Sequence, residues 1–250
     1  MSGGPYWDEA WNPVTGCTPA SVGCGHCWAA GMAHRFGRDF TPTFHEDRLN
    51  PKFLRSRKGK TIFVGNAGDL FHNDITGDQI AQVYGVFDQD GAQGHRFLLL
   101  TKRVERLVAV EHWLGWDEDA PPIGWWPLRD VWRGVSICDD SESWKAHHLM
   151  AQLPGVPHWL SLEPLLGPLP SLDLTGIEWV VLGGENGPGA RPMPPQAAIA
   201  VWQSCKTKHV PFFFKGWGSG CRSEQFSNDN AEWDAILAMS ASQGLPAVVS

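Results

Sequence analysis

The sequence predicts an α/β protein built as a partial (β/α) barrel, and three observations lead to that prediction. Apolar runs of five or six residues recur along the chain, and several are almost continuously apolar, as in parallel strands buried on both faces. Amphipathic helical patterns lie between these runs. The 250 residues contain 42% hydrophobic side chains and no low-complexity linker, which indicates one barrel-sized domain over residues 1–250.

Six strong strands follow from the apolar runs, and a weaker first strand lies near Trp11. The six are Thr61–Gly65, Arg96–Thr101, Val131–Ser136, His158–Leu162, Glu178–Leu182 and Val210–Phe214. A doubly wound open sheet is the alternative architecture. In both folds ligands bind at the carboxyl ends of the strands, so polar residues that follow each strand are the candidates for a site.

Four helices are predicted between the strands. The clearest begins at a capping box formed by Thr76 and Gln79 and carries an apolar stripe. The expected buried positions of the four helices are Ile80, Val83, Tyr84 and Phe87; Val104, Leu107 and Val108; Trp144, His148 and Ala151; and Ile199, Trp202 and Cys205 after Pro194-Pro195. A further helix is expected to start at Trp28. Residues from about 222 to 250 are expected to form a C-terminal tail.

Charge and hydropathy narrow the functional classes. The formal net charge of −7 argues against broad electrostatic attraction to nucleic acid. The segment 52–60 carries five of the 20 Lys and Arg residues; we expect a solvated loop there, and a local nucleic-acid track is the alternative. No apolar run reaches the roughly 18–20 residues that span a bilayer, and no signal peptide is recognisable, so we expect a cytoplasmic protein without a membrane partner.

Cys17, Cys24 and Cys27 are the most informative residues. Three clustered thiols suit a metal centre that keeps one position open, whereas a structural zinc site uses four protein ligands. In a reducing compartment such a cluster favours metal binding over disulfides. The other three cysteines, Cys138, Cys205 and Cys221, are scattered, and we expect buried structural roles for them.

The cysteine spacing resembles that of the radical S-adenosylmethionine (SAM) superfamily, whose members bind a [4Fe–4S] cluster through three cysteines followed by an aromatic residue. The common spacing is C-x3-C-x2-C, and this chain has C-x6-C-x2-C with Trp28 after the last cysteine. Within that superfamily the chain resembles a phage- and prophage-borne family. The motifs that carry this resemblance are Trp11-Asn-Pro-Val-Thr-Gly-Cys17, Cys24-Gly-His-Cys27-Trp-Ala, Gly68-Asp-Leu-Phe-His72, Leu100-Thr-Lys-Arg103, Ser161-Leu-Glu-Pro-Leu-Leu-Gly-Pro168, Gly183-Gly-Glu-Asn-Gly-Pro-Gly-Ala-Arg-Pro192 and Phe214-Lys-Gly-Trp-Gly218.

The resemblance implies a set of site residues, with the cluster loop at about residues 11–36. Cys17, Cys24 and Cys27 would bind the cluster, whose open iron binds SAM. Trp28, Asp69, Glu163 and Glu185 are the candidates for cofactor binding, and Lys215 and Arg191 are the candidates for catalysis through a carboxylate or phosphate of SAM or substrate. Lys102 and Arg103 are weaker candidates for phosphate, and His26 is expected to point away from the cluster.

The resemblance also implies an activity. Some phage members act in thymine hypermodification of viral DNA, a change that would protect it from host restriction. They rearrange a glycine attached to the thymine methyl group through nitrogen into one attached through its α-carbon. The expected cofactors are therefore a [4Fe–4S] cluster and SAM, and the expected partners are a modified thymine in DNA or nucleotide and a reductant for the cluster.

Two other readings stay open at this point. One is a zinc-bearing nucleic-acid-binding module with Cys17, Cys24, Cys27 and either His26 or His34 as ligands. The other keeps radical SAM chemistry and changes the reaction to DNA photoproduct repair or methylation.

Overall fold

Seven parallel strands form the central sheet in a computed structural model, which describes residues 6–56, 58–115 and 130–220 and positions 235, 238, 239 and 241. Strand β1 is Glu9–Trp11, and a separate two-stranded sheet pairs β2 (Val14–Thr15) with β3 (Thr43–Phe44). The rest of the main sheet comprises β4 (Thr61–Val64), β5 (Arg96–Thr101), β6 (Val131–Ser136), β7 (His158–Leu162), β8 (Trp179–Gly183) and β9 (Phe212–Gly216).

Five α-helices join these strands within the described ranges. They are α1 (Trp28–Arg35), α2 (Gly77–Phe87), α3 (Val104–Trp113), α4 (Trp144–Gln152) and α5 (Pro195–Thr207). No described helix has the length and apolarity that a bilayer crossing requires.

The strands lie in chain order, β1-β4-β5-β6-β7-β8-β9, without the reversal that marks a doubly wound sheet. Aromatic contacts show that this sheet curls. The ring of Tyr6 contacts Phe63 of β4 at a centroid distance of 6.1 Å and Phe213 of β9 at 5.6 Å. A flat sheet with strands about 4.8 Å apart would hold β4 and β9 more than 20 Å apart. The predicted partial (β/α) barrel is confirmed.

The barrel interior depends on a glycine in β6. Trp159 of β7 reaches across Gly134 of β6, and its indole N–H donates to the carbonyl oxygen of Leu99 on β5 at 2.9 Å. A Cβ atom at position 134 would lie 2.3 Å from Trp159 Nε1, so a larger residue would exclude the indole. A second apolar layer lies between the outer face of the sheet and the helices.

Local sequence signals account for most elements. Each of the six strong strands lies within one residue or two of its expected position. Thr76 and Gln79 form both hydrogen bonds of the capping box of α2. The expected stripes of α3 and α5 face the core, with Trp202 half-buried at its edge.

One expectation about the helices is wrong. The buried residues of α4 are Lys145, Ala146 and Leu149, whereas Trp144 and Ala151 are exposed. Lys145 is buried because its ammonium pairs with Glu142, which moves the inward face by one residue. No helix is predicted between β7 and β8, and the connection contains turns, since its three prolines at 164, 168 and 170 cannot donate helical hydrogen bonds.

Candidate active site

The cysteine loop is fixed at the carboxyl end of β1. The N–H of Gly16 donates to Ala67 O, and the N–H of Cys17 donates to Phe40 O, both at 3.0 Å. Gly16 has φ +79°, and a Cβ atom there would lie 2.2 Å from Thr41 O. Glycine is therefore required at position 16, and the backbone that leads into Cys17 is set against the edge where β4 also ends.

The three thiols are half-buried and share this loop. The guanidinium of Arg103 donates to Cys17 Sγ at 3.4 Å, and the N–H of Ala20 donates to Cys24 Sγ at 3.4 Å. Cys27 is the N-cap residue of α1, where the helix dipole favours negative charge. Burial and the charge of Asp69 raise the pKa of the Cys17 thiol, while the hydrogen bond from Arg103 opposes that rise.

The donor set of the loop suits a thiolate-ligated iron–sulfur group. It offers three thiols, a guanidinium and a backbone N–H that already donate to sulfur, and a helix N-terminus beside the last thiol. Within the described ranges, no three or more His, Cys, Asp or Glu side chains converge on a common point where a metal ion would sit. The ligand roles of Cys17, Cys24 and Cys27 therefore remain a prediction about one loop.

Asp69 lies behind the cysteine loop as a buried carboxylate. It accepts hydrogen bonds from the Thr101 hydroxyl on both oxygens at 2.9 Å and from Arg103 at 2.9 Å. Arg103 also donates to Thr18 O at 2.8 Å. Asp69, predicted as a cofactor contact, is thus engaged with its own chain and orients the guanidinium that reaches Cys17. From its sequence position alone, Arg103 is only a weaker candidate for phosphate contact.

Glu163 and Lys215 form an ion pair at the same edge. Glu163 directly follows β7, Lys215 lies near the end of β9, and Nζ and Oε1 are 2.6 Å apart. Next to them, Lys102 Nζ donates to Ser136 Oγ at 2.6 Å. Gly183 lies beside this pair, because a Cβ atom there would contact Lys215 Cβ at 3.3 Å and Glu163 Cδ at 3.4 Å. Both predicted residues therefore reach the edge, and they pair with each other.

Glu185 and Arg191 form a second pair that holds the cysteine loop. Arg191 donates to Glu185 through its backbone N–H at 2.8 Å and through Nε at 2.9 Å, and its NH1 donates to Val22 O at 3.0 Å. His26 Nδ1 lies 3.1 Å from Glu185 Oε2. The hydrogen bonds from Arg191 hold the pKa of Glu185 below its ordinary value. Through His26 and Arg191, Glu185 connects the loop after β8 to the cysteine loop.

Cys138 lies under the cysteine loop, a position that its isolated place in the sequence did not indicate. Its thiol is buried, and a Cβ atom at Gly23 would lie 2.1 Å from its sulfur. Burial raises the pKa of Cys138 and raises that of Cys205, on α5, to about 12, as expected for structural thiols. Cys221, and the proposed tail apart from positions 235, 238, 239 and 241, lie outside the described residues.

The remaining candidates lie on the surface. Trp28 is 53% exposed at the start of α1, and His34 is exposed further along that helix. The described residues of the basic segment, 52–56 and 58–60, precede β4, so they lie at the amino edge of the sheet, opposite the cysteine loop. Lys60 there pairs with Glu9 at 2.8 Å, and Lys52 and Arg55 are exposed. A nucleic-acid track on this segment would not lead to the cysteine loop.

Comparisons with known proteins give alignments to solved structures and a family. Spore photoproduct lyase in complex with dinucleoside spore photoproduct aligns with a TM-score of 0.44 and 14% identity, covering 74% of this chain and 58% of that structure. A mutant of the same lyase with bound AdoMet and dinucleoside spore photoproduct gives a TM-score of 0.42 and 14% identity, covering 70% and 55%. The chain thus spans a little over half the length of these structures.

Among curated proteins, the genome polyprotein of Hepatitis C virus genotype 1c (isolate HC-G9) is 32% identical over 83 residues, which is 32% of this chain and 3% of the polyprotein. That overlap is too short to relate the two proteins as wholes. The family model described as a protein of unknown function (DUF5131) covers far more, residues 2–241. The chain therefore belongs to the DUF5131 family.

Proposed function

We propose that this chain is a radical SAM enzyme that holds a [4Fe–4S] cluster through Cys17, Cys24 and Cys27. The observation that supports the proposal most strongly is the position of these three thiols in the fold. They share one loop at the carboxyl edge of a partial barrel, where ligands bind in such folds, and the pairs Glu163–Lys215 and Glu185–Arg191 reach the same edge. When bound, a reduced cluster and SAM supply hydrogen-atom abstraction.

The chain's own residues would prepare this site. Asp69 holds Arg103 in place, and the guanidinium of Arg103 donates to Cys17, where it compensates the charge of a thiolate ligand. Glu185 holds the loop through His26 and Arg191. Trp28, Asp69, Glu163 and Glu185 keep their proposed cofactor roles. For Asp69 and Glu185, which are buried and accept hydrogen bonds from several groups of the chain, we propose positioning of the loop as the way they act.

For the substrate we propose a thymine that carries an amino-acid adduct, with migration of glycine from nitrogen to α-carbon attachment as the reaction. This rearrangement conserves every atom, as an isomerase requires. A glycyl adduct presents a carboxylate, and Lys215 and Arg191 are cations whose side chains remain about a third exposed beside their carboxylate partners. In this proposal they bind that carboxylate and orient the glycyl carbon.

The test uses anaerobically reconstituted, reduced protein with SAM and a nucleotide bearing N-linked glycyl-thymine. We expect formation of 5′-deoxyadenosine and a product of unchanged mass and altered fragmentation, because the rearranged radical regains one hydrogen atom, either from 5′-deoxyadenosine or as an electron from the reductant and a proton from water. K215A should still form 5′-deoxyadenosine but lose most of the isomerisation, because it removes a substrate cation rather than a cluster ligand.

Other products would decide between the alternatives. A restored thymine pair from a photoproduct, or an added methyl group, would replace the isomerase proposal while keeping the radical SAM assignment. Absence of 5′-deoxyadenosine from a fully loaded protein would overturn that assignment. A zinc form that binds duplex DNA tightly would favour the nucleic-acid-binding module.

A further inference from the structure

Helix α1 turns an apolar stripe towards solvent directly beside the cysteine loop. Among the described residues, six large hydrophobic side chains are exposed, and four of these lie between Val22 and Phe36. Trp28, Met32 and Phe36 follow i, i+4, i+8, so they occupy one face of the helix and its C-cap. Ala29 is the buried residue of α1. Apolar side chains of this helix are therefore available to a partner.

The same face carries positive charge. The guanidinium groups of Arg35 and Arg38 lie 5.9 Å and 5.7 Å from the ring centroid of Phe36. Among the described ion pairs neither arginine has a carboxylate partner. No Asp or Glu occurs between Glu9 and Asp39 in a chain whose net charge is −7. The carboxylate of Asp39 accepts hydrogen bonds from its own turn at Thr41.

The stripe also has a direction and a length. It begins next to Cys27 and extends to Phe36, eight residues beyond Trp28, or about 12 Å along a helix. That length is enough for a few consecutive stacked bases of a single strand. Aromatic rings and arginine planes are the groups on which unpaired bases stack, and arginine also binds phosphate.

We propose that Trp28, Met32, Arg35, Phe36 and Arg38, the α1 face, bind a single strand of DNA and guide it to the cysteine loop. Phe36 and Met32 would contact bases, and Arg35 and Arg38 would contact phosphates. The substrate would then be a base in a polymer rather than a free nucleotide. This inference rests on the proposed function for its substrate, while the binding itself requires no catalysis.

The experiment measures binding of a fluorescent oligodeoxythymidine 20-mer to the reconstituted protein by anisotropy at several salt concentrations. R35E/R38E should weaken binding at least tenfold and reduce the salt slope by about 1.4, because each phosphate contact on a single strand contributes about 0.7. M32A/F36A should weaken binding fivefold or more, with a smaller change in salt slope.

The chain offers matched controls away from the α1 face. K52E/R55E makes the same charge change at the amino edge of the sheet, and W144A removes an exposed aromatic side chain on α4. Both controls should bind the oligonucleotide within twofold of the unsubstituted protein.

Several results would overturn the inference. They are unchanged binding by both α1 variants, an equal loss in K52E/R55E, or a dimer that M32A/F36A converts to a monomer, which would assign the face to a second copy. If the α1 variants bound DNA normally but a flavoprotein no longer reduced their cluster, the α1 face would be assigned to the reductant. A protein that forms no 5′-deoxyadenosine but shows the expected binding losses would retain the α1 face and lose the proposed activity.

Discussion

At the scale of one residue, Gly23 allows the cysteine loop to pack closely against the barrel because it has no Cβ atom. A Cβ atom there would lie 2.1 Å from Cys138 Sγ and 3.2 Å from Cys138 Cβ. We predict that G23A displaces the segment between Cys17 and Cys24 and lowers the iron bound per chain after reconstitution to less than half of the unsubstituted value. Iron and protein assays on the same sample measure this ratio.

The loop provides its own control for that prediction. A Cβ atom at Gly25 would meet Val22 O at 3.7 Å, an ordinary contact, and its φ of −58° suits alanine. G25A should therefore bind as much iron as the unsubstituted protein. G23A/C138A should recover part of the loss because the sulfur in conflict is gone. Equal iron in G23A and G25A would contradict this view of the loop.

His158 makes stability depend on pH. Burial and the nearby charge of Arg133 lower the pKa of His158 from its ordinary 6.5 to about 3. The unfolded chain therefore takes up a proton on this residue below pH 6.5 that the folded chain refuses, so folding stability falls as pH drops from about 6.5 towards about 3. Between pH 7.5 and pH 5, proton uptake by this residue in the unfolded chain should lower the free energy of unfolding by about 2 kcal/mol.

Urea unfolding at those two pH values tests the prediction. H158F removes the titrating group and should reduce the loss of stability at pH 5 by that amount. H147N, which replaces an exposed histidine on α4, is the matched control variant. The prediction is wrong if H158F and the unsubstituted protein lose equal stability between pH 7.5 and pH 5.

The sequence predicted which residues reach the carboxyl edge but not how they pair. Glu163 and Lys215 each follow an apolar strand, which was enough to place them there. Their 2.6 Å contact joins residues 52 positions apart and depends on the lateral order of β7, β8 and β9. The hydrogen bond from Arg103 to Cys17 joins residues 86 positions apart and likewise depends on the order of the strands. Strand order is a property of the folded sheet and cannot be obtained from a local pattern.

At the scale of elements, strands were easier to predict than helix faces. A strand buried on both faces needs only an apolar run, and each strong run became a strand. The inward face of α4 depends on an ion pair between Lys145 and Glu142. The hydrophobic pattern of the sequence does not indicate such a pair. The sequence predicts that helix α1 starts at Trp28. Only the structure shows that the apolar face of this helix is exposed to solvent.

Gly134 tests how β5, β6 and β7 pack inside the barrel. Alanine there would place Cβ 2.3 Å from Trp159 Nε1 and 2.7 Å from Leu99 O. We predict that G134A lowers the free energy of unfolding by about 1–3 kcal/mol, the usual effect of overpacking. A Cβ atom at Gly85 on α2 would have nothing within 4 Å. G85A should therefore raise the free energy of unfolding by about 0.5–1 kcal/mol. Urea denaturation of both variants provides the comparison, and a neutral G134A would contradict the packing.

At the scale of the whole molecule, the curl of the sheet brings the site together. Tyr6 touches residues of β4 and β9, so the two sides of the sheet face each other across a shared interior. The carboxyl ends of β1, β7, β8 and β9 can then contribute to one mouth. The negative net charge concerns the chain as a whole, and residues 10–38 contain two arginines and no carboxylate.

The most direct test of the central claim is the metal content of the anaerobically reconstituted protein. The account predicts about four irons and four sulfides per chain and a broad absorption near 400 nm. C17A, C24A and C27A should each abolish both signals, whereas C138A should keep them because Cys138 lies beneath the loop as a structural thiol. Stable binding of one zinc ion per chain without iron would contradict the account.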